Sequence, residues 1–152
     1  MPANTSPIFI LTPNRGILGG ARVSSANSTR DLSNTSNAVN LFTAGSNGSR
    51  IDAIDWVHSS NAQTTGALTA ALSVATVARL FQCTDTSFSN PRLLREVALS
   101  AVQASSTVIG QTATMSFTTP LVLPSGYTLV VTLSVAQNTG GAYDVTVYGG
   151  DF

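Results

Sequence analysis

The side chains able to do acid–base or nucleophilic chemistry are few and scattered. His58 is the single histidine and Cys83 the single cysteine of the 152 residues. Ser59 and Ser60 follow His58. Ser–His catalysis needs a hydroxyl within hydrogen-bond reach of the imidazole and a third group that orients the base. Neighbouring side chains on a strand point to opposite faces, so His58 and Ser59 make a poor pair, and no nucleophile elbow accompanies them. The expected role of His58 is a polar side chain at a strand end. Cys83 lies close to Ala78, Leu80 and Phe81 and reads as a small buried hydrophobe. With no second cysteine there is no intrachain disulfide. Structural zinc takes four Cys or His ligands, more than the chain has. Asp52 and Asp55 sit three apart, on opposite sides of a strand. No catalytic residue, metal site or cofactor is expected.

The charge balance narrows the partners. Only 9% of the residues are charged and the formal net charge is zero, against about 25% charged residues in typical soluble domains. Lysine is absent, and Glu96 is the only glutamate. A neutral, weakly charged surface promotes association, and arginine suits interfacial ion pairs better than lysine because its guanidinium is a planar, weakly hydrated fork. Duplex binding needs clustered positive charge, whereas Arg15, Arg22 and Arg30 are spread along a polar segment. Neither nucleic acid nor an anionic membrane surface is therefore an expected partner. The apolar run Ile8–Leu11 is too short for a signal-peptide core, and Gly66–Phe81 contains Arg79 and is shorter than a membrane span. Four glycosylation-type sequons, at Asn4, Asn27, Asn34 and Asn47, carry little weight without a secretory signal.

The elements that must position these residues are strands. A chain of this length suits one domain. Residues 12–37 are dominated by Gly, Ser, Asn and Thr without apolar periodicity, a composition that cannot offset its own ordering entropy. Residues 1–37 are expected to form an extended arm, with Ile8, Phe9, Ile10 and Leu11 as an apolar anchor, and residues 38–152 to form the folded domain. From residue 38 short apolar runs alternate with turn residues. Ala38–Thr43 and Arg50–His58 flank Asn47-Gly48, a hairpin signal. Ala113–Thr118 is a further strand, with Pro120 and Pro124-Ser125-Gly126 bracketing Leu121–Leu123. Over Tyr127–Val135 the odd positions Tyr127, Leu129, Val131, Leu133 and Val135 are apolar and aligned on one face, the pattern of a half-buried strand. Tyr143, Val145 and Val147 repeat it after a turn at residues 138–141, so the pair reads as a C-terminal hairpin. Gly66–Gln82 mixes helix and strand formers and reads as a strand in β surroundings; Leu93–Leu99 fits a strand or one short helix. Many short strands imply an all-β fold, a two-sheet sandwich or barrel.

From Val39 onward the chain resembles a family of small virion proteins of tailed phages. The matching pieces are Asn40-Leu41-Phe42-Thr43-Ala44-Gly45, Asn47-Gly48, Arg50-Ile51-Asp52, Ala78-Arg79-Leu80-Phe81 and Leu93-Leu94-Arg95-Glu96-Val97. Leu121 through Leu129 and the terminal Val145-Thr146-Val147-Tyr148-Gly149-Gly150-Asp151-Phe152 complete the set. The resemblance implies a jelly-roll-like antiparallel β-sandwich that decorates or cements an icosahedral capsid. Its partners are then the major capsid protein and further copies of itself, as a dimer or trimer, with no small-molecule substrate. Its location is then the capsid surface of the virion, after assembly in the host cytoplasm. On this reading Ile8, Phe9, Ile10 and Leu11 are an apolar anchor on the shell, and Arg15, Arg22 and Arg30 contact acidic shell residues. The alternative is a tail or fibre module that binds host carbohydrate, for which Trp56, Tyr143 and Tyr148 are the aromatic candidates. The terminal Gly-Gly-Asp-Phe also matches the signature of diguanylate cyclases, but no nucleotide- or metal-binding carboxylates surround it here.

Overall fold

The computed structural model describes residues 16–60, 73–102, 109–138 and 140–152. Among them are eight strands and no helix: β1 (Ile17–Val23), β2 (Val39–Thr43), β3 (Ser49–Ser60), β4 (Thr76–Cys83), β5 (Arg92–Leu99), β6 (Thr112–Leu123), β7 (Thr128–Leu133) and β8 (Gly141–Asp151). They form two four-stranded antiparallel sheets: sheet A in the order β1-β8-β3-β6 and sheet B in the order β2-β7-β4-β5. The first strand pairs with the last, β2 with β7, β3 with β6 and β4 with β5. This is the connectivity of a long hairpin wound around a sandwich, a jelly roll.

Alternation on the strands builds the core between the sheets. In sheet A, Ile54 and Trp56 on β3 and Tyr143, Val145 and Val147 on β8 are fully buried, and so are Leu80 on β4 and Leu129, Val131 and Leu133 on β7 of sheet B. Trp56 meets Tyr143 edge-on, with ring centroids 6.4 Å apart. The register of β3 shifts between Ile51 and Ala53 against both of its neighbours. Such a bulge reverses the faces of the strand beyond it, which is why Ile51 and Ile54 both point inward.

Several local expectations change once the chain is wound. Asn47-Gly48 is a turn, and Gly48 takes φ +86° with the Leu123 carbonyl only 2.7 Å from where a Cβ would sit. It does not close a hairpin, because β2 lies in sheet B and β3 in sheet A. The expected C-terminal hairpin is likewise a crossing from β7 in sheet B to β8 in sheet A. The consecutive pair joined by a turn within one sheet is β4–β5. Pro120 does not end a strand. It lies in β6, an edge strand, at a position where residues 117–120 bulge between the pairs Ile51–Leu121 and Ala53–Ser116; edge strands and bulges tolerate proline. Of the run 66–82, residues 66–72 lie outside the described residues and β4 occupies Thr76 onward, while residues 93–99 are strand.

The arm expected over residues 1–37 is divided. Residues 1–15 lie outside the described residues. Ile17–Val23 form β1 within sheet A, and residues 24–38 lie on the sandwich, with Asn27 and Leu32 buried. The folded domain therefore starts at β1 rather than at residue 38. The physical reason is that this polar segment is fixed by hydrogen bonds to distant residues, which apolar periodicity does not register.

Candidate functional site

The outer face of sheet B is closed by the chain itself. Segment 24–38 crosses it as a strap. Leu32 inserts beside Phe81, Cys83 and Val130 to make a second, smaller apolar cluster. Leu32 does so at φ +57°, a conformation costly for a bulky side chain (about 1–3 kcal/mol) that persists only where the surroundings over-determine it. Asn27 organises the strap from within: its side-chain amide donates to the carbonyls of Asn34 at 2.7 Å and Ser36 at 2.8 Å, and its Oδ1 accepts from the backbone N–H of Thr29 at 3.0 Å. The backbone N–H of Asn27 reaches the Leu133 carbonyl of β7 at 2.7 Å.

Below the strap lies Arg79 of β4, buried between Thr132 of β7 and Glu96 of β5. Its Nη1 donates to the Asn27 carbonyl at 3.2 Å and its Nε to Glu96 Oε1 at 3.1 Å. Glu96, opposite Arg79 on β5, also accepts from both Nε and Nη2 of Arg30, at 3.1 and 2.6 Å. Hydrogen bonding to Arg30, and then to Arg79, holds the Glu96 carboxyl below its usual range. The single glutamate thus ties a strap residue to a sheet residue. Arg30, expected to reach acidic groups of a shell, pairs within the chain with Glu96 while its side chain stays largely exposed.

Among the described residues no segment covers the outer face of sheet A. Residues directly opposite one another share a face, which gives two rows across the sheet: Arg22, Asp144, Val57 and Thr112, then Gly20, Thr146, Asp55 and Thr114. Tyr148, Ala53 and Ser116 continue the surface. Most of these side chains are small or hydroxylic, Val57 remains 46% exposed, and no segment of the described chain crosses them. Arg22 stands 4.0 Å from Asp144, both half-exposed, a surface pair of the kind that contributes at most about 1 kcal/mol. Of the residues expected to contact a shell, Arg22 lies on this face, and so does Tyr148, a candidate for carbohydrate binding. Ile8, Phe9, Ile10, Leu11 and Arg15 lie outside the described residues.

His58 and Cys83, the groups weighed for chemistry, are both buried. His58 is buried and stacks edge-on against Tyr143 at 5.2 Å. Among the described residues neither ring nitrogen finds a hydrogen-bond partner, and burial lowers its pKa. His58 lies near the end of β3, as expected, and is buried there. Burial, and secondarily Asp85, pushes the Cys83 thiol up to about 11, which disfavours the thiolate at neutral pH. Trp56 and Tyr143 are fully buried, so neither can stack on a sugar. Tyr148 is partly exposed on sheet A. Among the described residues no cluster of His, Cys, Asp or Glu is placed to hold a metal ion.

The terminal Gly-Gly-Asp-Phe also has a structural account. Gly149 packs so closely on β3 that a Cβ would meet the Arg50 carbonyl at 1.9 Å. Asp151 accepts the hydroxyl of Ser49 at 2.5 Å, and the Phe152 N–H donates to the Gly48 carbonyl at 3.1 Å. The motif pins the end of β8 to the turn that starts β3. No signal in residues 24–38 reveals the Arg30–Glu96–Arg79 tie, because its members are separated by tens of residues.

No protein-family model matches the chain, and no curated protein matches it.

Proposed function

We propose that this protein is a virion structural protein that decorates or cements an icosahedral capsid, binding the major capsid protein and stabilising the mature head. The observation that carries the reading is the contrast between its two sheet faces: one is closed by an internal strap, the other is a broad, nearly neutral surface of small and hydroxylic side chains. A weakly charged face of this kind favours association. The sequence resemblance supplies the kind of partner, since the fold by itself does not imply function.

The mechanism is linkage. A protein that binds the assembled, mature shell better than the immature one shifts stability toward the mature state by its difference in affinity. Repeated contacts from a self-associating decorator add through multivalency. Sheet A supplies the docking face, and Ile8–Leu11 supply the apolar anchor.

Quantification of the protein in purified virions against the major capsid protein tests this. A copy number comparable to that of the shell protein is expected. A handful of copies would move the protein to the tail or fibres, and its absence would overturn the reading.

A further inference from the structure

We infer that the protein self-associates through the edge of β6 that no described strand pairs, which pairs antiparallel with β6 of a second copy about a two-fold axis at Thr114 and joins two sheets A into one. This deepens the self-association in the proposed function and rests on it only in that respect.

The four edges of the sandwich are β1, β6, β2 and β5, and they differ in how they are guarded. Exposed edges offer unpaired backbone groups, and proteins blunt them with charge, shortness or cover. Strand β5 carries Arg92, Arg95 and Glu96. Strand β2 has only five residues. Strand β1 carries Arg22 and runs against β2, where a side chain at Gly19 would touch the Leu41 carbonyl at 3.0 Å. Strand β6 has twelve residues, Thr112–Leu123, with no charge among them.

The direction of its backbone groups follows from the register. The His58 N–H donates to the Gln111 carbonyl at 2.8 Å, so this opposed pair is hydrogen-bonded. Hydrogen-bonded and non-hydrogen-bonded pairs alternate along an antiparallel ladder. Trp56–Ala113 and Ile54–Met115 are then bonded, while Val57–Thr112, Asp55–Thr114 and Ala53–Ser116 are not. Thr112, Thr114 and Ser116 therefore turn their N–H and C=O groups to the free edge, and all three residues are exposed. Beyond Ser116 the bulge at residues 117–120 ends the regular edge, where Arg95 of β5 lies over the Phe117 ring at 5.8 Å.

This short edge is self-complementary. Centred on Thr114, the pairing sets Thr114 against its own copy and Thr112 against Ser116 twice. Every one of these residues presents backbone groups outward, so roughly six backbone hydrogen bonds form. Cross-strand Thr–Thr and Thr–Ser hydroxyl pairs add to them, and the lack of charge leaves no repulsion across the axis. An isologous contact of this kind closes on a dimer. Its small area places it among the weaker interfaces.

Sedimentation equilibrium of the full chain, up to about 500 μM, tests the inference, with a dimer of Kd on the order of 10–100 μM expected. Thr114→Pro removes the outward N–H, a change edge strands tolerate, and is expected to weaken the dimer roughly 5- to 100-fold. Thr114→Lys sets like charges opposite each other and is expected to give a monomer. Mixing Thr114→Lys with Thr114→Glu is expected to restore a heterodimer. Circular dichroism matching the parent chain shows that each variant is folded, and Ala98→Lys on β5 serves as the control edge. A parent chain that stays monomeric over this range overturns the inference, as does a dimer indifferent to all three Thr114 substitutions. Either result leaves the copy number in virions, and with it the capsid reading, untouched.

Discussion

The two sheets of this sandwich treat their outer faces in opposite ways. On sheet B, β7 is buried on both sides: all six of its residues are inaccessible, because Leu32 and the strap cover Val130 and Thr132 from outside. On sheet A, β8 and β3 alternate between core and outer face, and among the described residues no segment covers the outward side chains Asp144, Thr146, Val57 and Asp55. The same chain thus spends a polar stretch of sequence on hiding one face and leaves the other unhidden. A sheet face that is internally satisfied makes a poor docking site, and one that is flat and weakly charged makes a good one. The comparison therefore carries the proposal about which side meets a shell.

The comparison can be sharpened by substitution. The largest effect is expected under the strap. Leu32→Ala empties the centre of the small apolar cluster and should cost about 2–4 kcal/mol in urea unfolding, the range for a buried leucine truncated to alanine. Hydrogen exchange over residues 24–38 should rise with it. Next comes Arg79→Met, which keeps the packing of the side chain but leaves the Asn27 carbonyl without its donor and Glu96 with one partner fewer. A loss of about 1–3 kcal/mol is expected.

Acid should act between the sheets through His58. Its folded pKa is depressed below the ordinary 6.5 by burial, so the unfolded chain takes up the proton first. Stability is then full above pH 6.5 and falls as the pH drops from there through the folded pKa. No charged residue occurs from Val97 to Tyr143 or from Val57 to Ala78, the stretches that flank this end of the core, so no counter-charge from them offsets the imidazolium. The carboxylates of Asp31, Asp85 and Glu96 are depressed below ordinary values of 3.8 to 4.5 and weaken the fold only at lower pH. His58→Phe should abolish the slope just below pH 6.5, measured by urea midpoints across pH, and leave the more acidic one. The smallest effects belong to the open face: Val57→Thr and Thr146→Ser should shift stability by no more than about 0.5 kcal/mol. Losses comparable to that of Leu32→Ala would erase the contrast between the sheets.

How far the sequence reached follows the range of each interaction. Strands with period-two alternation, β7 and β8 above all, are legible because the signal lies within the element. Which strands pair is not, because alternation names the faces of a strand and not its neighbours. Asn47-Gly48 marks a turn correctly, yet in a jelly roll most turns carry the chain from one sheet to the other, so the hairpin inferred from it is absent. The strap is illegible for a different reason. Its fixings are Asn27, Arg30 and Arg79, whose partners are carbonyls and a carboxylate brought together only by the fold; Arg79 reaches Asn27 across 52 positions of sequence. The polar text of residues 24–37 therefore reads as a tether. The same limit hides the Arg30–Glu96 pair and the burial of His58 against Tyr143 near the end of β3.

The most direct test of the account is hydroxyl-radical footprinting of the protein free in solution and in purified virions. Val57 and Tyr148 on sheet A should be labelled in the free chain and protected on particles, while Leu32 under the strap should be poorly labelled in both. Equal labelling of Val57 and Tyr148 in the two states would contradict the claim that sheet A is the face that meets the shell.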